Sequence, residues 1–201
     1  TGDPAKRAGN EFAFMMQAIQ NIELLKGYEI QKIVTGCPHC FNTLKNEYPE
    51  LGADFEVVHH TQLINQLIRE GRLLLKGGGK FEGKKITFHD PCYLGRANDV
   101  YEAPREVLEK LDAELVEMKR SKAKGLCCGA GGAQMFKDAE KGNKEINIER
   151  TEDAIEVNAD YIATGCPFCN TMMTDGIKHF EKEEKVKVLD IAELISNAAD
   201  L

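Results

Sequence analysis

The chain has 201 residues, of which 42% are hydrophobic and 29% are charged, and its formal net charge is −7. This length allows one large domain or two small ones, each able to bury a core. The longest apolar runs, such as residues 73–75, are far too short to cross a bilayer, so no membrane span is expected. The acidic balance disfavours nucleic acid as a partner, because phosphate binding relies on clustered Lys and Arg.

The first predicted elements surround a Cys-Pro-His-Cys motif. The chain opens on Gly2-Asp3-Pro4, a turn-like run before a long helical pattern. A strand-like segment then leads into Thr35-Gly36-Cys37-Pro38-His39-Cys40, followed by a helix-like segment, a strand around Val57-Val58 and another helix. Because the chain begins at Thr1 without methionine, we expect it to be a fragment or a processed subunit.

Four short segments in the remaining chain predict strands of a buried sheet, at residues 85–88, 114–117, 161–163 and 185–189. Helical patterns separate them, at residues 104–111 and 143–157. A last helix is predicted to open with the capping-box pair Asp190 and Glu193. Strands that alternate with helices predict an α/β fold, in which a parallel sheet is connected by right-handed crossovers.

An internal repeat divides the chain. The run Ile33-Val34-Thr35-Gly36-Cys37-Pro38-His39-Cys40 recurs as Ile162-Ala163-Thr164-Gly165-Cys166-Pro167-Phe168-Cys169. We therefore predict two similar Rossmann-like parallel-sheet units, an incomplete first unit over residues 1–80 and a complete second unit over residues 81–201. When the copies are aligned, Thr1 stands at the position of Cys128, so the first copy has lost at least one thiol.

Five of the seven cysteines form one predicted constellation: Cys92, Cys127, Cys128, Cys166 and Cys169. Between Cys92 and Cys127 lie 34 residues, and between Cys128 and Cys166 lie 37, so only folding can bring these thiols together. Each cysteine segment follows a predicted strand. Open parallel sheets bind ligands outside the carboxyl ends of their strands, so a single shared site is expected there.

Five clustered thiols favour an iron–sulfur cluster over zinc. A structural zinc ion is tetrahedral and takes four ligands, whereas several irons that share bridging sulfides could use all five. A disulfide framework is typical of small secreted chains with an even number of cysteines, and this chain has seven. Zinc and unliganded or redox-active thiols remain as alternatives.

The residues beside the thiols suggest how the site is supported. Cys166 precedes Pro167 and Cys37 precedes Pro38, so each cysteine is expected to cap a helix that has proline at its first position. Free backbone N–H groups at a helix start favour thiolate over thiol. His89 is either a hydrogen-bond donor or proton relay at the site, or a structural residue at a strand end.

Three segments carry a resemblance to a known family. They are His-Asp-Pro-Cys-Tyr-Leu-Gly-Arg at 89–96, Cys-Cys-Gly-Ala-Gly-Gly at 127–132 and Thr-Gly-Cys-Pro-Phe-Cys at 164–169. In order and spacing they resemble the cysteine-rich CCG domain of heterodisulfide-reductase-like iron–sulfur oxidoreductases. The match covers about residues 84–200 as a complete unit, with a partial copy before it. The gap after Cys128 is slightly longer than is usual in this family.

The resemblance implies a 4Fe–4S cluster, which can be non-cubane, as the cofactor of the five thiols. It implies an oxidoreductase component that relays electrons between a flavoprotein or ferredoxin-type domain and an acceptor such as a quinone. A membrane-associated quinone-reducing partner is compatible with this function. The expected location is the cytoplasm, or the inner face of the membrane through a missing segment or a partner. The alternatives are catalytic reduction of a heterodisulfide at the cluster and a zinc-stabilised interaction module.

Cys37 and Cys40 are expected to belong to a second site that upstream residues complete. They repeat the spacing of Cys166 and Cys169, but two thiolates leave a metal under-ligated. In the resembling family a cysteine often precedes the Thr-Gly-Asp-Pro run of the first copy. In this chain alone, the pair is predicted to be free, oxidised to a disulfide or loosely metal-bound.

Overall fold

The structure is a computed structural model that describes residues 1–75, 79–138 and 141–199. The helices are α1 (Asp3–Arg7), α2 (Glu11–Gly27), α3 (Pro38–Asn42), α4 (His60–Arg69), α5 (Glu102–Leu108), α6 (Ile146–Glu156), α7 (Pro167–His179) and α8 (Ile191–Ala199). The strands are β1 (Lys32–Thr35), β2 (Glu56–His59), β3 (Lys85–Phe88), β4 (Glu114–Leu115), β5 (Tyr161–Thr164) and β6 (Lys187–Asp190).

The first unit is built on two parallel strands, β1 and β2, in which Ile33 lies opposite Val57. Helix α2 packs on this unit through Phe14, Ala18 and Ile22, which recur every four residues and therefore share one face. The helix begins where the side chain of Asn10 accepts a hydrogen bond from the backbone N–H of Ala13. After α3 the chain continues as a π-helical turn over Thr43–Glu47.

The second unit is a parallel sheet of four strands in the order β4-β3-β5-β6. Its two central strands bury the apolar residues Ile86, Phe88, Ile162 and Ala163, as expected for a parallel sheet covered on both faces. The order shows that the chain adds β4 on one side of β3 and then adds β5 and β6 on the other side. The boundary between β3 and β5 is thus the topological switch point of the sheet.

The two units share one succession of elements. The first runs α2-β1-α3-β2-α4, and the second ends in α6-β5-α7-β6-α8. The strand pairs also agree in register, because Ile33 lies opposite Val57 just as the repeated Ile162 lies opposite Val188. The α/β fold class is therefore confirmed. Among the described residues, β3, α5 and β4 of the second unit have no counterpart in the first. The division at residues 80 and 81 stays a proposal.

Element boundaries differ from the sequence patterns at several ends. Strand β4 stops at Leu115 instead of residue 117, because Glu117 turns aside to bind Arg105. Helix α5 begins two residues earlier than predicted, at Glu102. Pro104 is compatible with this start, since the first N–H groups of a helix have no intrahelical partner. The last helix is capped as predicted by Glu193, whose carboxylate accepts the backbone N–H of Asp190 at 2.7 Å.

The two units contact one another through three histidines of the first unit. The ring of His39 stacks on Tyr93, with centroids 4.2 Å apart, and meets Phe168 edge-on at 5.1 Å. His60 Nε2 lies 2.9 Å from a carboxylate oxygen of Asp190. His59 is fully buried and lies against the position that a Cβ on Gly165 would occupy. Elements that carry the two Cys-Pro-x-Cys motifs are thereby held side by side.

Candidate metal centre

The five predicted cysteines lie at the carboxyl edge of the four-stranded sheet. Cys92 lies in the loop after β3, Cys127 and Cys128 lie in the loop after β4, and Cys166 follows β5 directly. Since β3 and β5 flank the switch point, the crevice between them is where a doubly wound sheet binds its ligand. The predicted convergence of these segments agrees with their position in the fold.

A buried carboxylate holds the Cys92 loop in place. Asp90 accepts bidentate hydrogen bonds from the guanidinium of Arg105, at 2.8 and 2.9 Å. It also accepts the backbone N–H of Lys122 at 2.7 Å. Arg96 is exposed and donates to the carbonyl of Gly125 at 2.6 Å. These bonds tie the Cys92 loop to the segment that leads into Cys127.

The loop of Cys127 and Cys128 depends on a glycine. Gly129 has a φ of 90°, in the region that only glycine adopts without strain. A Cβ at this position would lie 3.3 Å from Cβ of Ile146, so the start of helix α6 leaves little room for a side chain. The backbone N–H of Gly129 donates to Cys127 Sγ at 3.3 Å. The glycine therefore lets the backbone approach the sulfur.

Both Cys-Pro-x-Cys motifs open a helix, as the sequence predicts. Cys166 is the N-cap of α7 with Pro167 at its first position, and Cys37 is the N-cap of α3 with Pro38 in the same place. Backbone N–H groups of the first turn of α7, those of Cys169 and Phe168, bind the sulfur of Cys166. The positive end of the helix thus faces a sulfur.

The sulfur atoms form a continuous series of contacts. Cys128 Sγ lies 3.4 Å from Cys169 Sγ. Cys92 contacts Cys127, Cys127 contacts Cys128, and Cys169 contacts Cys166. The structure thus brings all five predicted thiols together. The series then passes into the first unit, because Cys37 contacts both Cys166 and Cys40.

Two of the thiols are the preferred sites of negative charge. Hydrogen bonds from Cys128 and Cys92 strongly lower the pKa of Cys127. Hydrogen bonds from Cys169 and Cys37 lower the pKa of Cys166. The same contact with Cys127 raises the pKa of Cys128 to about 12, and the contact with Cys166 raises the pKa of Cys37 to about 11. These contacts favour thiolate over thiol at Cys127 and Cys166, which flank the Cys128–Cys169 contact.

Apolar side chains pack around the sulfurs. Ala130 is buried with Cys128, Cys166 and Cys169, and Met135, Phe168 and Met172 pack against this group. Met173 of α7 is fully buried in a separate core cluster with Ile162 of β5. The residues packed around the sulfurs shield those of Cys128, Cys166 and Cys169 from water. The lower local dielectric strengthens electrostatic interactions there.

The first unit contributes only two thiols, both half-buried. The hydroxyl of Thr1 lies 3.6 Å from Cys40 Sγ, in agreement with the alignment that puts Thr1 at the place of a thiol. The contact between Cys37 and Cys166 was not predicted from the sequence. The repeat indicated two similar sites but gave no information on their separation.

His89 and Arg150 are buried beside the thiols. A ring nitrogen of His89 and the sulfurs of Cys128 and Cys169 lie within 4.8 Å of one another. Arg150 Nε lies 3.0 Å from His89 Nδ1. Burial and the charge of Arg150 lower the pKa of His89 to about 3. Sequence reasoning missed Arg150, which lies in a polar helix where nothing distinguishes a buried arginine from a solvated one.

The residues present fit an iron–sulfur cluster. Thiolates are the usual ligands of such clusters, and five sulfurs in contact exceed the four that a tetrahedral zinc ion takes. The site also offers a helix start and the backbone N–H of Gly129 to an anionic group. His89 Nε2 is buried without a hydrogen-bond partner among the described residues, as expected for a donor that faces a ligand.

Comparison with known proteins agrees with this geometry. A family model described as "CCG: Cysteine-rich domain" matches residues 1–45 and 86–174. The chain belongs to this cysteine-rich CCG family. The match in two segments agrees with the internal repeat, and the resemblance read from the sequence is confirmed.

Similar proteins are iron–sulfur and redox proteins by name. The chain is 46% identical over 199 residues to the probable iron–sulfur-binding oxidoreductase FadF of Bacillus subtilis, and 42% identical to the EtfAB:quinone oxidoreductase of Syntrophomonas wolfei. It is 36% identical to one subunit of the dihydromethanophenazine:CoB–CoM heterodisulfide reductase of Methanosarcina barkeri. These matches cover 98%, 99% and 92% of the chain but only 28%, 28% and 44% of the relatives.

The relatives support the redox interpretation of the site over a zinc-stabilised interaction module. The names identify iron–sulfur proteins and oxidoreductases, and the clustered cysteines supply the ligands that an iron–sulfur cluster requires.

Among residues 1–75, 79–138 and 141–199, no helix combines the length and apolar character required to cross a membrane.

Proposed function

We propose that this chain holds an iron–sulfur cluster and relays electrons within a larger heterodisulfide-reductase-like oxidoreductase. The observation that carries the proposal is the unbroken contact of five sulfurs at the switch point of a parallel sheet. The proposed ligands are Cys92, Cys127, Cys128, Cys166 and Cys169. The cluster would supply one-electron redox chemistry when bound.

We further propose that the cluster is a 4Fe–4S cluster of non-cubane type. A cubane 4Fe–4S cluster takes four cysteine ligands. The site offers five thiols, of which Cys128, Cys166 and Cys169 are buried and Cys92 and Cys127 are half-buried. An arrangement of irons with more terminal positions accounts for all five.

The chain's own residues hold and shield the cofactor in this proposal. The carboxylate of Asp90, bound by Arg105, fixes the loop of Cys92, and Gly129 permits the tight turn after Cys128. Met172 and Phe168 exclude water. Because ligands and surroundings are held before an electron arrives, little reorganisation accompanies its transfer. This arrangement suits a relay.

The names of the relatives suggest the partners. One relative is named for a quinone and for EtfAB, and another as a probable membrane-anchored ferredoxin, 44% identical to the chain. We propose that a flavoprotein or ferredoxin-type domain donates electrons and that a membrane-associated partner passes them to quinone. This chain would act at the cytoplasmic face of the membrane through that partner.

Catalytic reduction of a disulfide is the second candidate, because one relative belongs to a heterodisulfide reductase. Thr1 lies beside Cys40 and aligns with the second vicinal cysteine of the second unit, so the first unit departs from the five-thiol pattern. This departure weakens the likeness to an enzyme that uses two such sets. The relay is therefore preferred.

Reoxidation of the reduced protein distinguishes the two functions. The cluster-loaded chain is reduced anaerobically, freed of excess reductant and mixed either with a soluble quinone or with a mixed disulfide of two small thiols. A relay should be reoxidised by the quinone without forming thiols from the disulfide. Catalytic release of both thiols, abolished by Cys128→Ser, would replace the relay by disulfide reduction.

A further inference from the structure

His89 lies between the thiols and a buried guanidinium. It follows β3, three residues before Cys92, and its side chain is fully buried. On one side are the sulfurs of Cys128 and Cys169, which lie within 4.8 Å of a ring nitrogen. On the other side is Arg150 of α6, whose Nε lies 3.0 Å from His89 Nδ1. The imidazole ring thus connects an arginine to the sulfur site.

Arg150 determines which ring nitrogen carries the proton. The guanidinium has N–H donors and no acceptor, so Nδ1 of His89 must accept through its lone pair. A proton on Nδ1 would point at the N–H of Arg150 across the same 3.0 Å. The ring is therefore the neutral tautomer with its single N–H at Nε2.

The orientation of Arg150 is fixed by its other contacts. Its Nη1 donates to the carbonyl of Arg120 at 2.6 Å and lies 3.2 Å from a carboxylate oxygen of Asp153. Arg150 and Asp153 are both buried. The guanidinium cannot rotate away without breaking these bonds, so it holds the His89 ring in one orientation. Such outer contacts commonly fix the tautomer of a histidine at a metal site.

The Nε2 atom of His89 is buried and has no hydrogen-bond partner among the described residues. A buried N–H without a partner is costly, and most are paired. The sulfurs of Cys128 and Cys169 lie within 4.8 Å of a ring nitrogen of His89, so a cluster held by these cysteines would offer an acceptor to the Nε2–H.

We propose that His89 is a positioning residue that donates its Nε2–H to a sulfur of the bound cluster, with Arg150 setting the tautomer. This inference rests on the proposed function, because it requires an iron–sulfur cluster at the site. His89 would not bind iron in this arrangement, because the tautomer has no lone pair on Nε2. Hydrogen bonds to cluster sulfurs affect the reduction potential, and a donor stabilises the reduced, more negative form.

Two variants of His89 separate the effect of losing the hydrogen-bond donor from an effect on folding. In His89→Asn, the side-chain oxygen can replace Nδ1 as acceptor for Arg150, but the amide is too short to reach the sulfurs. In His89→Gln, the amide nitrogen can occupy the place of Nε2 and donate. Iron and acid-labile sulfide are measured first, before any potential is compared. If the unmodified chain binds neither, the proposed function itself is refuted.

Potentiometric titration of the loaded proteins then tests the donor. His89→Asn should lower the reduced-to-oxidised ratio at a fixed potential about tenfold, which is about 59 mV for a one-electron couple. His89→Gln should recover part of the shift. An unchanged potential in a fully loaded His89→Asn protein would overturn the proposal.

Two measurements on the unmodified chain apply even if the variants fail to load. Nitrogen-15 NMR of the chain without iron should show His89 unprotonated at Nδ1 and protonated at Nε2, and the opposite tautomer would contradict the role of Arg150. Pulsed EPR of the loaded chain with nitrogen-15 histidine should show only weak nitrogen coupling to the cluster. A coupling typical of a ligating imidazole would show that His89 binds iron.

Discussion

The two units repeat one backbone plan but differ in what they place at its edge. The second unit brings five thiols into contact and surrounds them with the buried groups Asp90, Arg105, His89 and Arg150. The first unit has the same helix start at Cys37 but offers two thiols, with Thr1 beside Cys40. The comparison teaches that both units open a helix at a Cys-Pro-x-Cys motif, whereas the other three thiols of the second unit come from the loops after β3 and β4.

The largest expected effect separates the thiols of the two units. Cys128→Ser removes the central sulfur, which contacts both Cys127 and Cys169, and should abolish most of the bound iron and sulfide. The matched control Cys40→Ser changes a thiol that contacts Cys37 and Thr1 and should leave the cluster spectrum nearly unchanged. Comparable iron loss in both variants would contradict the assignment of the cluster to the second unit.

The buried ion pair of the second unit should dominate its stability. Arg105→Leu leaves Asp90 buried without its bidentate partner, which is expected to lower the free energy of unfolding by about 3–5 kcal/mol. Arg69→Leu is the control, because Arg69 is 66% exposed in its pair with Glu106 and should cost at most about 1 kcal/mol. Urea unfolding measures both, and equal losses would show that Asp90 is not a structural anchor.

The buried His59 of the first unit predicts a dependence of stability on pH. Burial and the neighbouring charge of His60 lower the pKa of His59 to about 3, whereas an unfolded histidine titrates near 6.5. Below pH 6.5 the unfolded chain takes up a proton that the folded chain does not. The stabilisation is therefore complete above pH 6.5 and is lost as the pH falls towards 3.

Substitution isolates this contribution. The free energy of unfolding of the chain without iron should decrease between pH 7 and pH 5. This decrease should be about 2 kcal/mol larger than the decrease in the variant His59→Gln. Denaturant unfolding at both pH values provides the difference. Identical pH dependence in the two proteins would show that His59 is protonated in the folded chain.

The smallest expected effect concerns the contact between the units. His60→Ala removes the 2.9 Å contact with Asp190, which should cost about 1 kcal/mol. Hydrogen exchange should speed up in α4 and α8, which pack against one another, more than in α6. A uniform change across all helices would indicate that the units unfold as one body.

Much of this site could be predicted from the sequence. The proline after each of Cys37 and Cys166 predicted a helix start, and the buried apolar segments before Cys92 and Cys166 predicted strand ends. Together these placed the thiols at one edge of a parallel sheet. The strand order β4-β3-β5-β6 could not be read from the pattern, because a short buried strand does not reveal its neighbours.

The polar surroundings of the thiols could not be predicted either. Arg105 and Arg150 lie in helices whose sequences are rich in charge, and a periodic pattern assigns such residues to solvent. Both are buried because each binds a partner in a distant segment, a carboxylate for Arg105 and an imidazole for Arg150. The contact of Cys37 with Cys166 likewise depends on how two units pack, which the repeat alone does not specify.

The central claim is that the second unit binds an iron–sulfur cluster, and metal analysis of anaerobically purified protein tests it most directly. Iron, acid-labile sulfide and zinc are measured in the unmodified chain and in the double variant Cys37→Ser with Cys40→Ser. We predict iron with sulfide in both, with similar cluster spectra. Zinc without sulfide in the unmodified chain, or a large loss of iron in the double variant, would contradict the claim.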